Sequence, residues 1–162
     1  MTQEQRTASE IWQRAAQPND YPFALRLYLD GTRVHLEKLG RWNEEQTIAR
    51  FKGGFDPSQA WVVCAGDKEI GWMQVSESPE RLHLQQLHLL GSFHRRGIGS
   101  RLLRKLLERA ARAGKPVVLN VIIGNPARFL YERLGFRVTG TNEELVHMVW
   151  DLNVGSSGQP PL

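Results

Sequence analysis

The sequence predicts a single α/β domain built on a mixed β-sheet flanked by helices. Three observations predict it. Residues 60–90 hold three apolar runs separated by short turns, the pattern of an antiparallel meander. Residues 98–134 hold a strongly periodic helix, a buried strand run and a second short helix. Two further strand runs close the chain. With 162 residues, 41% apolar and 23% charged, the chain is long enough for one sizeable core and too apolar for wholesale disorder.

The elements follow in order. Residues 9–14, with Ile11 and Trp12, read as a short first strand. Asn19-Asp20 reads as the N-cap of a helix that carries Leu25, Leu27, Tyr28 and Leu29 and ends at Gly31. Val34, Leu36 and Leu39 continue a helical pattern to a stop near Gly40. Asn43 with Gln46 three residues on is a capping-box pattern, followed by Ile48 and Phe51 at helical spacing and ended by Gly53-Gly54. Residues 60–65 and 70–75 form a hairpin about the turn Gly66-Asp67-Lys68. Residues 76–80, with Pro79, turn again, and the Leu-rich run 81–90 reads as a central strand.

Ile98, Leu102, Leu103, Leu106, Leu107 and Ala110 then share one helical face, with bases on the other. Gly114 and Pro116 stop that helix. Residues 117–123 are a buried-strand run, and Asn125-Pro126 opens a short helix that Gly135 closes. Residues 136–139 and 146–152 are the last two strands. Residues 1–8 are expected to be a flexible N-terminus and residues 9–152 the domain. Residues 153–162, rich in Gly, Ser and Pro, are expected to be a disordered tail.

Composition excludes several classes. No apolar run approaches 18 residues, so no membrane-spanning helix is expected. Residues 1–10 are polar and lack the apolar core of a signal peptide. The single Cys64 excludes an intramolecular disulfide and a Cys-based zinc cluster, and no metal site is expected. Cys64 sits inside an apolar strand, where a thiol is inert packing rather than a nucleophile. These features suit a cytoplasmic protein with no membrane partner.

The formal net charge is +4, from 21 Lys and Arg against 17 Asp and Glu. It is unevenly spread. Residues 91–115 hold eight bases and one acid, a net +7, and the rest of the chain is −3. The bases surround the run Ser92-Phe93-His94-Arg95-Arg96-Gly97-Ile98-Gly99-Ser100, which joins a strand to a helix. Amides at a helix start, glycines that let a ligand approach the main chain, and two arginines suit a pyrophosphate; the alternative is that the two glycines only ease a tight strand-to-helix turn. A dinucleotide fold would need a third glycine where Leu102 stands, and an acid at the end of the next strand, which holds none. No Gly-Lys-Ser/Thr is present for a nucleoside triphosphate.

A second run reads Asn125-Pro126-Ala127-Arg128-Phe129-Leu130-Tyr131-Glu132-Arg133-Leu134-Gly135-Phe136. Together the two runs resemble the GNAT superfamily of acetyl-CoA-dependent N-acetyltransferases. That family pairs a Gln/Arg-x-x-Gly-x-Gly/Ala motif with a later Asn, Ala and Tyr-Glu-Lys-x-Gly-Phe. The run from Arg14 to Asp20 is similar to the family's opening Arg-Pro-Ala-x-x-x-Asp, so the resemblance covers roughly residues 10–152. His94 departs from the family's Gln/Arg.

The resemblance implies a splayed central strand pair, with acetyl-CoA as co-substrate and a primary amine of a small molecule or peptide as acceptor. It implies that Leu87, His88 and Leu89 offer backbone to the pantetheine arm, and that a free N–H there stabilises the developing oxyanion. It places the pyrophosphate on His94, Arg95, Arg96, Gly97, Ile98, Gly99 and Ser100, with Asn125 and Ala127 on the cofactor arm. Tyr131 matches the general acid, since a Tyr hydroxyl can protonate a leaving thiolate. The resemblance implies a Glu on the central strand, or waters, as base. This strand offers His83, Gln85, Gln86 and His88 and no acid. His83, early on the strand near the family's Glu, is the expected base, with a structural histidine as the alternative. Tyr28, Trp42 and Trp72 are candidates for the acceptor pocket, with Glu37, Glu44 and Glu45 as acids on that side. Related enzymes are often dimers, so a homodimer is within the expectation. The competing readings are a nucleic-acid-binding module using the +7 segment and an acyl-CoA sensor without catalysis. The segment has one aromatic, Phe93, and no nucleic-acid motif, so no nucleic acid is expected as partner.

Overall fold

The computed structural model describes residues 10–152. The expectations for residues 1–8 and 153–162, and for Ser9 in the first strand, lie outside the described residues.

A sheet of seven strands runs in the order β1-β2-β3-β4-β5-β7-β6. The strands are β1 (Ile11–Ala15), β2 (Ala60–Ala65), β3 (Lys68–Glu77), β4 (Leu82–Leu89), β5 (Val117–Ile122), β6 (Arg137–Thr141) and β7 (Leu145–Trp150). Among the described residues, four α-helices flank them: α1 (Tyr21–Lys38), α2 (Glu44–Gly54), α3 (Ile98–Ala113) and α4 (Ala127–Arg133). This is the mixed α/β architecture expected.

Alternation along the strands divides the core into two layers. Val63, Met73, Val75, Leu82 and Leu84 pack with the buried face of α3, whose members are those the periodicity predicts. Burying each of its leucines contributes about 1.5–3 kcal/mol. Val62, Cys64 and Trp72 face the other way, onto Ala24, Leu27, Tyr28 and Phe51 of α1 and α2. Cys64 is thus core packing, as expected.

Two helix expectations are corrected. α1 does not end at Gly31 but runs on to Lys38 as one helix. Its buried residues, Ala24, Leu27, Tyr28, Thr32 and Leu36, continue at helical spacing past the glycine, and tertiary packing outweighs the cost of a glycine in a helix interior, about 1 kcal/mol. Asp20 occupies the N-cap position of α1 without capping it. Its carboxylate instead accepts from Arg14 Nη2 at 2.7 Å, Arg14 Nη1 at 3.0 Å and the Gln17 amide at 2.8 Å, which ties β1 to the start of α1. Asn43 does cap α2, its side chain accepting from the Gln46 amide.

The central strand pair positions the site. β4 and β5 run parallel, and their register covers only Leu82↔Val117, His83↔Val118 and Leu84↔Leu119. Beyond Leu84 the two strands part. A bulge lies at the same point: Val75 of β3 faces Leu84, while Gln74 faces Gln86, leaving Gln85 without an opposite residue. The Gln74 amide, 1% exposed, donates to Gln85 Oε1 at 2.7 Å and to the Gly54 carbonyl at 2.7 Å. The bulge is therefore pinned from the core.

Candidate active site

The splay opens a cleft of about 230 Å³. Residues 84–88 of β4 and 119–122 of β5 form its walls. Asn125, Ala127 and Tyr131 line it from the segment after β5, Tyr28, Gly31, Thr32, Leu36 and Arg50 from α1 and α2, and Glu144 and Leu145 from the β6–β7 turn and the start of β7.

Tyr131 sits on α4 with its ring 5.7 Å from that of Phe136, edge to face. Burial pushes its phenol up to about 12, so the hydroxyl keeps its proton across the working range of an enzyme. The α4 start is set by Asn125, whose Oδ1 accepts from the Ala127 amide at 2.9 Å. The helix therefore aims Tyr131 at the cleft from a fixed first turn.

His88 lines the cleft with its ring edge-on to Tyr28, centroids 5.8 Å apart. Its Nε2–H donates to Gln86 Oε1 at 2.6 Å, which leaves Nδ1 as the lone-pair nitrogen. Burial pulls its pKa down to about 4, so the ring is neutral at pH 7.

The glycine loop has a folded form of its own. Arg95 has φ 60 and Gly97 φ 76, both left-handed, and Gly97 starts α3 with no side-chain cap. The first intrahelical bond runs from the Arg101 amide to the Gly97 carbonyl, so the Ile98, Gly99 and Ser100 amides precede it and carry the positive helix end. His94 turns back and donates from Nε2 to the Leu89 carbonyl at 2.8 Å, tying the loop to β4. Arg96 lies 5.1 Å from the centre of the Phe93 ring and Lys68 5.5 Å.

The basic segment divides into two. Arg109 and Lys115 pair with Glu77, each at 3.6 Å, and Arg112 with Glu108 at 3.8 Å. Among the described residues, Arg95, Arg96, Arg101, Arg104 and Lys105 form no ion pair. The uncompensated charge therefore gathers at the loop end of α3.

Besides the glycine loop, residues 94–100, seven of the residues expected at the site lie outside the cleft lining. His83, the expected base, does not line the cleft. It faces a separate depression of about 430 Å³ with Ser76, Glu77, Ser78, Glu80 and Arg81, because it lies on the paired part of β4, before the splay. Burial, and to a lesser degree Arg81, pulls its pKa below the ordinary value. Trp72 is wholly enclosed and stacks on Phe55 at 5.4 Å, so it has no surface to offer an acceptor. Trp42 packs under the Arg33 guanidinium at 5.3 Å, outside the cleft lining. Leu89 also lies outside that lining, paired with Gly71. The acids Glu37, Glu44 and Glu45 do not line the cleft, and Glu37 is bound to Arg33 at 2.6 Å.

Tyr28, Leu87, His88, Asn125, Ala127 and Tyr131 do meet in the cleft. Sequence reasoning missed Thr32, Arg50, Gln85, Gln86, Asn120 and Glu144. Arg50 and Glu144 look like ordinary surface charges in the sequence and are brought together only by the fold, 94 residues apart. Among the described residues no helix is long and apolar enough to cross a membrane.

Comparison with known proteins shows the family and the fold. The family model for the acetyltransferase (GNAT) family matches residues 21–136. The fold is similar to that of the PaiA N-acetyltransferase from Thermoplasma acidophilum in complex with coenzyme A, at 19% identity and TM-score 0.67, covering 88% of this chain and 99% of that one. It is also similar to the ribosomal-protein-S18-alanine N-acetyltransferase from Escherichia coli, at 17% identity and TM-score 0.66, covering 87% and 93%. Arabidopsis thaliana Naa50, in complex with the bisubstrate analogue CoA-Ac-MVNAL, aligns at 16% identity and TM-score 0.63, covering 88% and 99%. No curated protein sequence gives a significant match.

Proposed function

The chain belongs to the acetyltransferase (GNAT) family, and on that premise we propose that it moves the acetyl group of acetyl-CoA to a primary amine by direct attack in a ternary complex. The single observation that carries this reading is the splay of β4 from β5 after Leu84, with Tyr131 lining the cleft it opens. Past Leu84 the backbone of β4 has no strand partner on the β5 side, which suits the amides of a pantetheine arm along Leu87 and His88. The α3 amides, with Arg95 and Arg96 beside them, suit the pyrophosphate. Asn125 and Ala127 lie where the arm would pass.

The chemistry needs two things from the chain, a donor for the oxyanion and a proton for the leaving thiolate. The amine nitrogen attacks the thioester carbonyl, a C–N bond forms, the C–S bond breaks, and the thiolate leaves. A backbone N–H of the open β4 edge stabilises the oxyanion. The Tyr131 hydroxyl gives its proton to the thiolate and recovers one from the attacking amine by way of water. An ammonium acceptor loses a further proton to solvent at the mouth of the cleft. The products are the N-acetyl amine and free CoA thiol. Residues 9–152 form the catalytic unit, and the acceptor is an amine of a small molecule or peptide.

Thermal shift with acetyl-CoA, followed by a thiol-release assay across amines, tests this. The expected result is stabilisation by acetyl-CoA and amine-dependent thiol release. Absence of stabilisation at millimolar acetyl-CoA would sink the reading.

A further inference from the structure

The cleft carries one charge of each sign. Among the described residues lining it, Glu144 is the one carboxylate and Arg50 the one cation. They face each other, Arg50 Nη1 donating to Glu144 Oε1 at 2.9 Å. Tyr28 lies close enough for both charges to act on its hydroxyl.

Glu144 is held firmly. Its amide donates to Asn142 Oδ1 at 2.8 Å, and its carbonyl accepts from the Ile123 amide at 2.9 Å. Leu145 donates to the same Asn142 oxygen at 2.7 Å, and Arg41 pairs with the neighbouring Glu143. The Glu144 side chain is only 19% exposed, whereas that of Arg50 is 59% exposed and reaches in from α2. Such a half-exposed pair is worth about 0–1 kcal/mol, so a ligand that satisfies both charges opens it at little cost.

Resting on the acetyl-transfer reading, we propose that Glu144, Arg50 and Tyr28 form the acceptor subsite for an amine that carries its own carboxylate, the α-amino acid class. Such a zwitterion sets its ammonium on Glu144 and its carboxylate on Arg50, replacing one ion pair with two. Arg50 recognises a carboxylate through parallel N–H donors. A polyamine meets a single carboxylate and the repulsion of Arg50. A simple amine leaves Arg50 without a partner for the charge it has lost. The cleft, about 230 Å³, suits a small acceptor.

The test compares kcat/KM for the common α-amino acids, their amides, the corresponding decarboxylated amines and spermidine. At least one amino acid is expected to exceed its amide and its decarboxylated amine by about 10- to 100-fold, the effect of one charge-assisted hydrogen bond. Arg50→Gln is expected to bring that ratio close to one. The double variant Arg50→Glu/Glu144→Arg keeps the ion pair, and so the fold, but exchanges its signs, and it is expected to lose the amino acid preference. Three outcomes overturn the inference: amides, amines or spermidine turned over as well as amino acids, an unchanged ratio in either variant, or acetyl-CoA binding with no amino acid turned over. Failure of acetyl-CoA to bind at all is the separate failure of the acetyl-transfer reading, and removes the inference with it.

Discussion

A methyl group on Gly31 would lie 2.8 Å from Nδ1 of His88, closer than a real contact allows. The glycine in the middle of α1 is therefore a space for the imidazole that lines the cleft, and not a helix stop. Helix propensity alone favours Gly31→Ala by about 1 kcal/mol. Overpacking costs about 1–3 kcal/mol and wins, because the near atom belongs to a ring already fixed by Gln86 and Tyr28. Gly31→Ala is expected to lower the denaturant midpoint. In His88→Ala the same substitution is expected to stabilise, a sign reversal that a double-mutant cycle reads directly.

His88 also sets a pH dependence. Its pKa falls from 6.5 to about 4 on folding, so the unfolded chain binds a proton that the folded one refuses. Stability from this group is complete above about pH 6.5 and is lost as pH falls toward 4. Urea titrations between pH 7 and 4 are expected to show that loss, and His88→Gln is expected to flatten it. An equal slope in the variant would assign the loss to other groups.

Tyr131 makes the opposite prediction at high pH. Its phenol is pushed up to about 12, so the folded chain keeps a proton that the unfolded chain loses near pH 10. Its contribution to stability is complete below pH 10 and is lost as pH rises toward 12. Turnover is expected to show no alkaline limb from Tyr131 below pH 10. Tyr131→Phe is expected to keep acetyl-CoA affinity, read by thermal shift, while turnover falls by about 10- to 10⁴-fold. Unchanged turnover would remove Tyr131 from the chemistry.

The Arg14–Asp20 clasp carries an acid-side prediction. Arg14, hydrogen-bonded to Asp20, holds that carboxyl below its ordinary value. Its stabilisation is present above the unfolded carboxylate range near pH 4 and is lost as pH falls through the lower folded value. Asp20→Asn is expected to cost about 1–2 kcal/mol at pH 7, measured by denaturant unfolding, with the difference from the parent shrinking at low pH.

At the loop, Gly97 has φ 76, where a side chain costs about 1–2 kcal/mol. Gly97→Ala is expected to shift the first amides of α3 and to weaken acetyl-CoA binding more than it lowers the melting temperature of the free protein. Equal losses in both measurements would make Gly97 a turn residue only.

Much of this was legible in the residues themselves. The buried face of α3, the Asn43 cap and the meander of β2, β3 and β4 are local patterns, written within a few residues of one another. The Gly97 loop and the Tyr131 helix are local as well, and their shared resemblance to one family named the chemistry. Three features were not legible. Gly31 reads as a helix end until His88, a strand residue far along the chain, is packed against it. His83 and His88 lie on the same strand, and only the bulge at Gln85 and the end of pairing at Leu84 decide which of them enters the cleft. Arg50 and Glu144 are unremarkable until the fold brings α2 and the β6–β7 turn within hydrogen-bond reach.

The sequence by itself determined the order of the elements, because capping and periodicity act over short stretches of chain, and the resemblance of its two motifs to one family gave the cofactor. Only the tertiary structure decided where β4 and β5 part, which histidine faces the cleft and which charges meet at its mouth. Those outcomes depend on strand register and on packing between segments nearly a hundred residues apart, and no local pattern encodes them.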